Sequence, residues 1–142
     1  MTAVRKVVLA GALAVLLAAT GPGLTPPSHA DDDLPLHHVK YTITAASPIY
    51  ADIYYVDHNP PIFADYSHNP YEFTPNVKTD VAPGKPWGFD AMLTKPDDYA
   101  MVVVSTGTEP GTPQFHCELA VDGKVVVSNN GPRGVLCSLR NW

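Results

Sequence analysis

The side chains best suited to chemistry are five histidines, His37, His38, His58, His68 and His116, set among many aspartates in a 142-residue chain. Imidazole and carboxylate together can hold zinc or copper, but either ion needs three or four convergent ligands. His58 and His68 hold equivalent places in a short repeat. His58-Asn-Pro-Pro-Ile-Phe63 is echoed ten residues later by His68-Asn-Pro-Tyr-Glu-Phe73, with Asp57 and Asp65 nearby. The pair is therefore the candidate for a weak divalent-metal site, although its spacing matches no standard site type. The competing reading gives the Asn-Pro pairs to turns, with each imidazole solvated.

Other chemistry lacks a frame. Beyond the first thirty residues serines stand at 47, 67, 105, 128 and 138, none in a Gly-x-Ser-x-Gly elbow and none in an order that suggests a Ser/His/Asp triad. Asp97 and Asp98 follow Pro96 in a turn that leads into an apolar run. There is no phosphate loop or dinucleotide fingerprint. No catalytic residue is expected, and no cofactor. Aromatic residues, in contrast, crowd positions 50–73: Tyr50, Tyr54, Tyr55, Phe63, Tyr66, Tyr71 and Phe73. They serve either as core packing or as an apolar groove for a lipid, a siderophore or a partner chain.

The elements that would position these residues are strands. Val39, Tyr41 and Ile43 alternate with polar residues, as do Ala51, Ile53 and Tyr55; Trp87, Phe89, Ala91 and Leu93 share one parity. Tyr99 to Ser105 is a nearly continuous apolar run, the mark of a strand buried on both faces or near a sandwich centre. Phe115, Cys117, Leu119 and Val121 fall on one face, and Asp122-Gly123 predicts a two-residue type I′ hairpin turn pairing Leu119 with Val126 and Cys117 with Ser128. Val135, Cys137 and Leu139 share a face on the last strand, so both sulfurs point to one core by parity. No segment beyond the N-terminus has a convincing helical period, and 15 prolines and 10 glycines disfavour long helices. The pattern predicts an all-β fold, an antiparallel immunoglobulin-like β-sandwich of about seven strands, with a small barrel as the alternative.

Residues 57–86 break the pattern with six prolines: Pro60, Pro61, Pro70, Pro75, Pro83 and Pro86. A loop of that length inside a compact domain is expected to be functional or to pack on itself. Short extended pieces are predicted near Ile62–Tyr66 and Tyr71–Thr74, joined by Asn-Pro turns.

The N-terminus sets the compartment. Arg5 and Lys6 precede an apolar run from Val7 to Ala19, Gly21-Pro22-Gly23 breaks it, and Ser28 and Ala30 place small residues for a cut after Ala30. The run is shorter than the roughly 20 residues of a spanning helix, so residues 1–30 read as a signal peptide, with an uncleaved anchor as the alternative. Residues 31–38 form an acidic flexible lead, and 39–142 the sandwich domain with its insertion at 57–86. All 14 acidic residues lie beyond Ala30, so the exported part carries a formal charge of −7. That balance gives no footprint for nucleic acid and disfavours anionic membrane surfaces. In an exported chain the only two cysteines, Cys117 and Cys137, are expected to pair; the rival is a reactive or metal-binding thiol pair.

Ala51-Asp-Ile-Tyr-Tyr-Val-Asp57, Pro86-Trp87, and Cys117-x-Leu-x-Val-Asp-Gly-Lys124 with a closing Cys137 occur in that order. Over roughly residues 39–139 this resembles the C-terminal domain of the mycobacterial MmpS family, small membrane-anchored accessory proteins of the RND-type MmpL exporters of lipids and siderophores. The resemblance implies an extracytoplasmic β-sandwich with a Cys117–Cys137 bond and a non-enzymatic role in export or scaffolding. The chain departs from that family in its short, apparently cleavable signal and in its long Pro-rich segment. The expected function is that of a secreted or cell-envelope binding or transport-accessory module, monomeric and without a membrane span once cleaved. Its partner would be an envelope transporter or an apolar envelope molecule, met by Tyr54, His58, Phe63, His68, Tyr71 and Phe73. A small secreted metal-binding protein using His58 and His68 is the alternative.

Overall fold

A computed structural model describes residues 34–140. The signal segment 1–30 lies outside the described residues, as do Asp31, Asp32 and Asp33 of the acidic lead. Eight strands and three short helical segments follow in the order β1 (His37–Ala45), β2 (Ile49–Tyr55), α1 (Phe63–His68), α2 (Pro70–Phe73), β3 (Asn76–Val81), β4 (Trp87–Leu93), α3 (Pro96–Tyr99), β5 (Met101–Ser105), β6 (Phe115–Val121), β7 (Lys124–Gly131) and β8 (Gly134–Ser138).

The strands form two four-stranded antiparallel sheets, ordered β4-β1-β6-β7 and β3-β2-β5-β8. The expected sandwich is present, with eight strands rather than about seven. The added strand, β3, lies inside the Pro-rich stretch, where Asn76-Val-Lys-Thr-Asp-Val81 supplies alternating half-buried positions against β2. The lead is also shorter than expected, because His37 and His38 already pair with Leu93 and Met92 of β4.

Alternation decides which way each strand faces. Val39, Tyr41, Ile43 and Ala45 of β1 and Phe115, Cys117 and Leu119 of β6 are buried from the first sheet. Ala51 and Ile53 of β2, Val102 and Val104 of β5 and Cys137 of β8 meet them from the second. Burying a large aliphatic or aromatic side chain contributes roughly 1.5–3 kcal/mol, so this seam dominates stability. The run after Tyr99 is central to the second sheet, with β5 between β2 and β8.

Two links cross the seam. Cys117 and Cys137 form the expected disulfide, with Cα atoms 6.1 Å apart. Because β6 and β8 belong to different sheets, the bond staples one sheet to the other. Tyr41 makes the second link: its hydroxyl donates to the Val56 carbonyl (2.8 Å) and accepts from the Met101 N–H (3.4 Å). Burial pushes the Tyr41 phenol far above its ordinary pKa, leaving it a neutral hydrogen-bonding group.

The β6–β7 hairpin corrects one register. Asp122 and Gly123 both have positive φ (51° and 84°), as a type I′ turn requires. Val121 pairs with Lys124 and Ala120 with Val125, but a bulge then inserts Val126, so Leu119 meets Val127 and Cys117 meets Asn129. The extra residue keeps Val127 on the core face beyond the bulge. At the far end of β7 the chain turns between sheets so tightly that a Cβ on Gly131 would lie 1.9 Å from the Gly134 carbonyl oxygen.

Candidate functional site

Tyr54 of β2 is directly opposite Asn76 of β3. A two-residue turn would join them, yet the chain runs from Val56 to Pro75 and folds into a cap. The first and last residues of this excursion continue the ladder: the Tyr55 N–H donates to the Pro75 carbonyl (3.3 Å) and the Asp57 N–H to the Phe73 carbonyl (3.2 Å). The extended pieces expected at 62–66 and 71–74 are instead helical turns, α1 and α2. Asn69-Pro70 is a helix start with Pro at the first helical position, where its missing N–H costs nothing. Phe63 and Tyr66 sit three residues apart on α1, and their rings are 6.1 Å apart.

Packing fixes these helical turns, which are too short to persist alone. Tyr66 and Phe73 are buried, with ring centroids 6.4 Å apart, and Tyr66 meets buried Tyr99 of α3 at 5.9 Å. Desolvation raises the Tyr66 phenol pKa, with Arg140 acting in the opposite direction. The Arg140 guanidinium lies 4.2 Å from the centre of the Phe63 ring, a cation–π contact. Asn59 anchors the other side. With its carboxamide oxygen turned to the backbone N–H groups of Lys95 (3.1 Å) and Thr94 (3.3 Å), every partner it faces is satisfied.

The six residues expected to form a surface fall into three places. Tyr54 and Tyr71 lean together, centroids 6.3 Å apart, on the outer side of the second sheet. Phe63 stands under Arg140. His58, His68 and Phe73 line one concavity of about 530 Å³ with Asn59, Pro61, Asp65, Asn69 and Glu72. Phe73 departs from the expected exposure: at 3 % exposed it is core, and it forms the floor of the hollow instead of its rim. The His58 ring lies against it at 4.9 Å, tilted by 53°, and its Nδ1 is held by Asp57 at 2.5 Å.

The sequence reading placed Asp65 near the histidine pair but missed Asn59, Asn69 and Glu72 as lining residues. The repeat carried the missing signal, since both its His-Asn pairs meet in this hollow. His58 and His68 thus share a cavity, but among the described residues no three His, Cys, Asp or Glu side chains converge on one point. Two other concavities are lined differently, one of about 450 Å³ beside Asp97, Asp98 and Asp122, and one of about 140 Å³ beside Tyr50 and Lys78. No helix among the described residues is long and apolar enough to cross a membrane.

A family model described as the Rv2576c beta-sandwich domain matches residues 41–137, from β1 through the cap to the second half-cystine. The chain belongs to the Rv2576c β-sandwich family. Rv2576c of Mycobacterium tuberculosis strain H37Rv is 38% identical over 142 residues, covering 100% of this chain and 91% of the relative. MT2652 of M. tuberculosis strain CDC 1551 and Mb2606c of M. bovis give the same identity and coverage. All three are named only as uncharacterized proteins. The Rv2576c match spans both cysteines and both copies of the His-Asn-Pro repeat, so sandwich and cap lie within one family domain.

Proposed function

We propose that the protein is an exported, non-enzymatic binding module of the mycobacterial cell envelope, and that the cap between β2 and β3 is its binding surface. One observation carries the reading. A two-residue turn would close this hairpin, yet the chain inserts a folded cap that exposes Tyr71 (73 %), Ile62 (59 %) and Phe63 (44 %) beside a polar hollow. Tyr71 lies with Tyr54, ring centroids 6.3 Å apart, as a surface aromatic pair of the kind enriched at interfaces. The disulfide favours an oxidising compartment. On the finer reading, suggested by the MmpS-like Val-Asp-Gly block, the module assists an envelope exporter of lipids or siderophores.

The test is a photo-cross-linking residue placed at Tyr71 in the full chain, in living mycobacteria. A discrete adduct with an envelope transporter or an apolar envelope molecule is expected from position 71 and not from Met92, exposed on the first sheet. Equal adducts from both positions, or none, would refute the cap as the binding surface. The intact mass of exported protein should begin at Asp31 and lack two thiol hydrogens; retention of residues 1–30 would make the chain an anchored accessory instead.

A second reading is two-ligand, weak divalent-metal binding by His58 and His68, which share the hollow but gain no third convergent ligand among the described residues. Excess zinc should then raise the melting temperature, because a ligand of the native state must stabilise it. An unchanged value removes this reading.

A further inference from the structure

The internal repeat has one consequence for ligand chemistry. Its two copies bring His58-Asn59 and His68-Asn69 to the same concavity, with Asp65 and Glu72 added from α1 and α2. The lining therefore holds two imidazoles, two carboxamides and two carboxylates over the Phe73 ring, and no lysine or arginine. An anion would find no cation there. A wholly apolar molecule would strip water from six polar side chains without replacing the lost hydrogen bonds. A metal ion would find no three convergent ligands.

We infer that this hollow is a saccharide-binding site, taking a neutral hydroxyl-rich ligand of a few sugar units. Each sugar hydroxyl both donates and accepts, which is what the mixed lining offers. The Asp65 and Glu72 carboxylates accept from hydroxyls. Asn59 has its carboxamide oxygen committed to Thr94 and Lys95, so the exposed Asn69 carboxamide supplies the NH₂ donor and oxygen acceptor. The His58 ring, its Nδ1 committed to Asp57, presents Nε2 as an acceptor when neutral. The half-exposed His58 ring, backed by buried Phe73 at 4.9 Å, supplies the flat face against which the C–H face of a sugar ring packs. A volume of about 530 Å³ lies within the 300–1,000 Å³ usual for small-ligand sites. The duplicated His-Asn pair suits a ligand that repeats its own hydroxyl pattern from one unit to the next.

The inference rests on the cap being a binding surface. Its test is a titration of the ¹⁵N-labelled exported chain, followed by backbone NMR, with maltotriose, mannotriose and the trisaccharide of glucosamine. Saturable shifts confined to residues 57–73 with a neutral trisaccharide are expected. His68 and Glu72 are both exposed, so His68→Ala and Glu72→Ala, checked by their melting curves, should leave the fold intact. Each should weaken the neutral sugar roughly tenfold, the worth of one or two hydrogen bonds. Binding of the glucosamine trisaccharide alone, abolished by salt, would overturn the neutral-saccharide assignment in favour of a cationic ligand. No saturable shifts, shifts elsewhere, or affinities untouched by both substitutions would overturn it outright. If the cross-link from position 71 persists in that case, only the saccharide assignment falls; if it too is absent, the binding-surface reading falls with it.

Discussion

The sandwich and the cap are built from the same kinds of residue by opposite rules. In the sandwich each strand announces its inward face by alternation, and the two sheets are joined by the Cys117–Cys137 bond and by Tyr41. In the cap, α1 and α2 have six and four residues, no side-chain N-caps and few backbone bonds of their own. They hold their shape because Tyr66 and Phe73 are buried together, with Tyr66 packed against Tyr99. One region is rigid through long-range pairing and a covalent staple, the other through a few aromatic contacts. A scaffold with an adaptable surface grafted on one hairpin follows from that difference.

The staple is the largest lever. Replacing Cys117 and Cys137 together by alanine should cost about 3 kcal/mol, given a closed loop of 20 residues. For a domain of this size that lowers the melting temperature by on the order of 10–20 °C. Calorimetry of the variant should show the whole domain destabilised, cap included. A loss restricted to residues 57–73 would show that the two regions are not related as scaffold and graft.

Tyr66→Ala comes next and should act locally. Removing a buried aromatic ring costs about 2–3 kcal/mol at a site that can partly collapse. Hydrogen exchange should show lost protection from Asp57 to Phe73, while β1, β6 and β5 keep theirs. Uniform loss across the strands would mean that the cap is part of the main cooperative unit.

The smallest effect is the sandwich's response to pH. Hydrogen bonds that the His116 ring donates to the Asn130 carboxamide oxygen and the Glu118 carboxylate raise its pKa above the ordinary value, and bonds donated by the His37 ring and the His38 N–H lower that of Asp122. The His116 contribution is present below the unfolded imidazole pKa, about 6.5, and is lost as pH rises through its raised folded value. The Asp122 contribution is present above the ordinary carboxylate range and is lost as pH falls through its lowered value. Melting temperature should therefore peak in mildly acidic solution and decline slightly toward neutrality, and His116→Ala should flatten that decline. Both groups are solvent-accessible, so the amplitude is small. A melting temperature that climbs from about pH 6 to 8 would contradict the assignment of these pairs.

What was legible in the sequence follows the same division. Val39-x-Tyr41-x-Ile43 and Phe115-x-Cys117-x-Leu119 could be read as strands because a half-buried strand repeats every two residues. The bulge at Val126 could not, since a valine fits either face and only the packed core selects one. In the cap, Asn-Pro was read as a turn although the same pair opens a helix, as Asn69-Pro70 does. Phe73 was placed outside because a segment without a period gives no parity to decide its direction. The meeting of the two His-Asn pairs depends on chain reversal between α1 and α2, which only the burial of Tyr66 and Phe73 dictates. The repeat does mark the segment that forms the hollow, where the proposed binding is placed.

The most direct test of the division is a chain in which residues 57–73 are replaced by Asn-Gly, a two-residue turn suited to joining β2 to β3. The protein should still fold, with the Cys117–Cys137 bond formed and a cooperative, lower melting transition. The cross-linker then moves to Tyr54, which remains beside the shortened turn. The same partner should be captured from Tyr54 when the cap is present and lost when it is removed. Capture undiminished in the capless chain would contradict the claim that the cap carries the function.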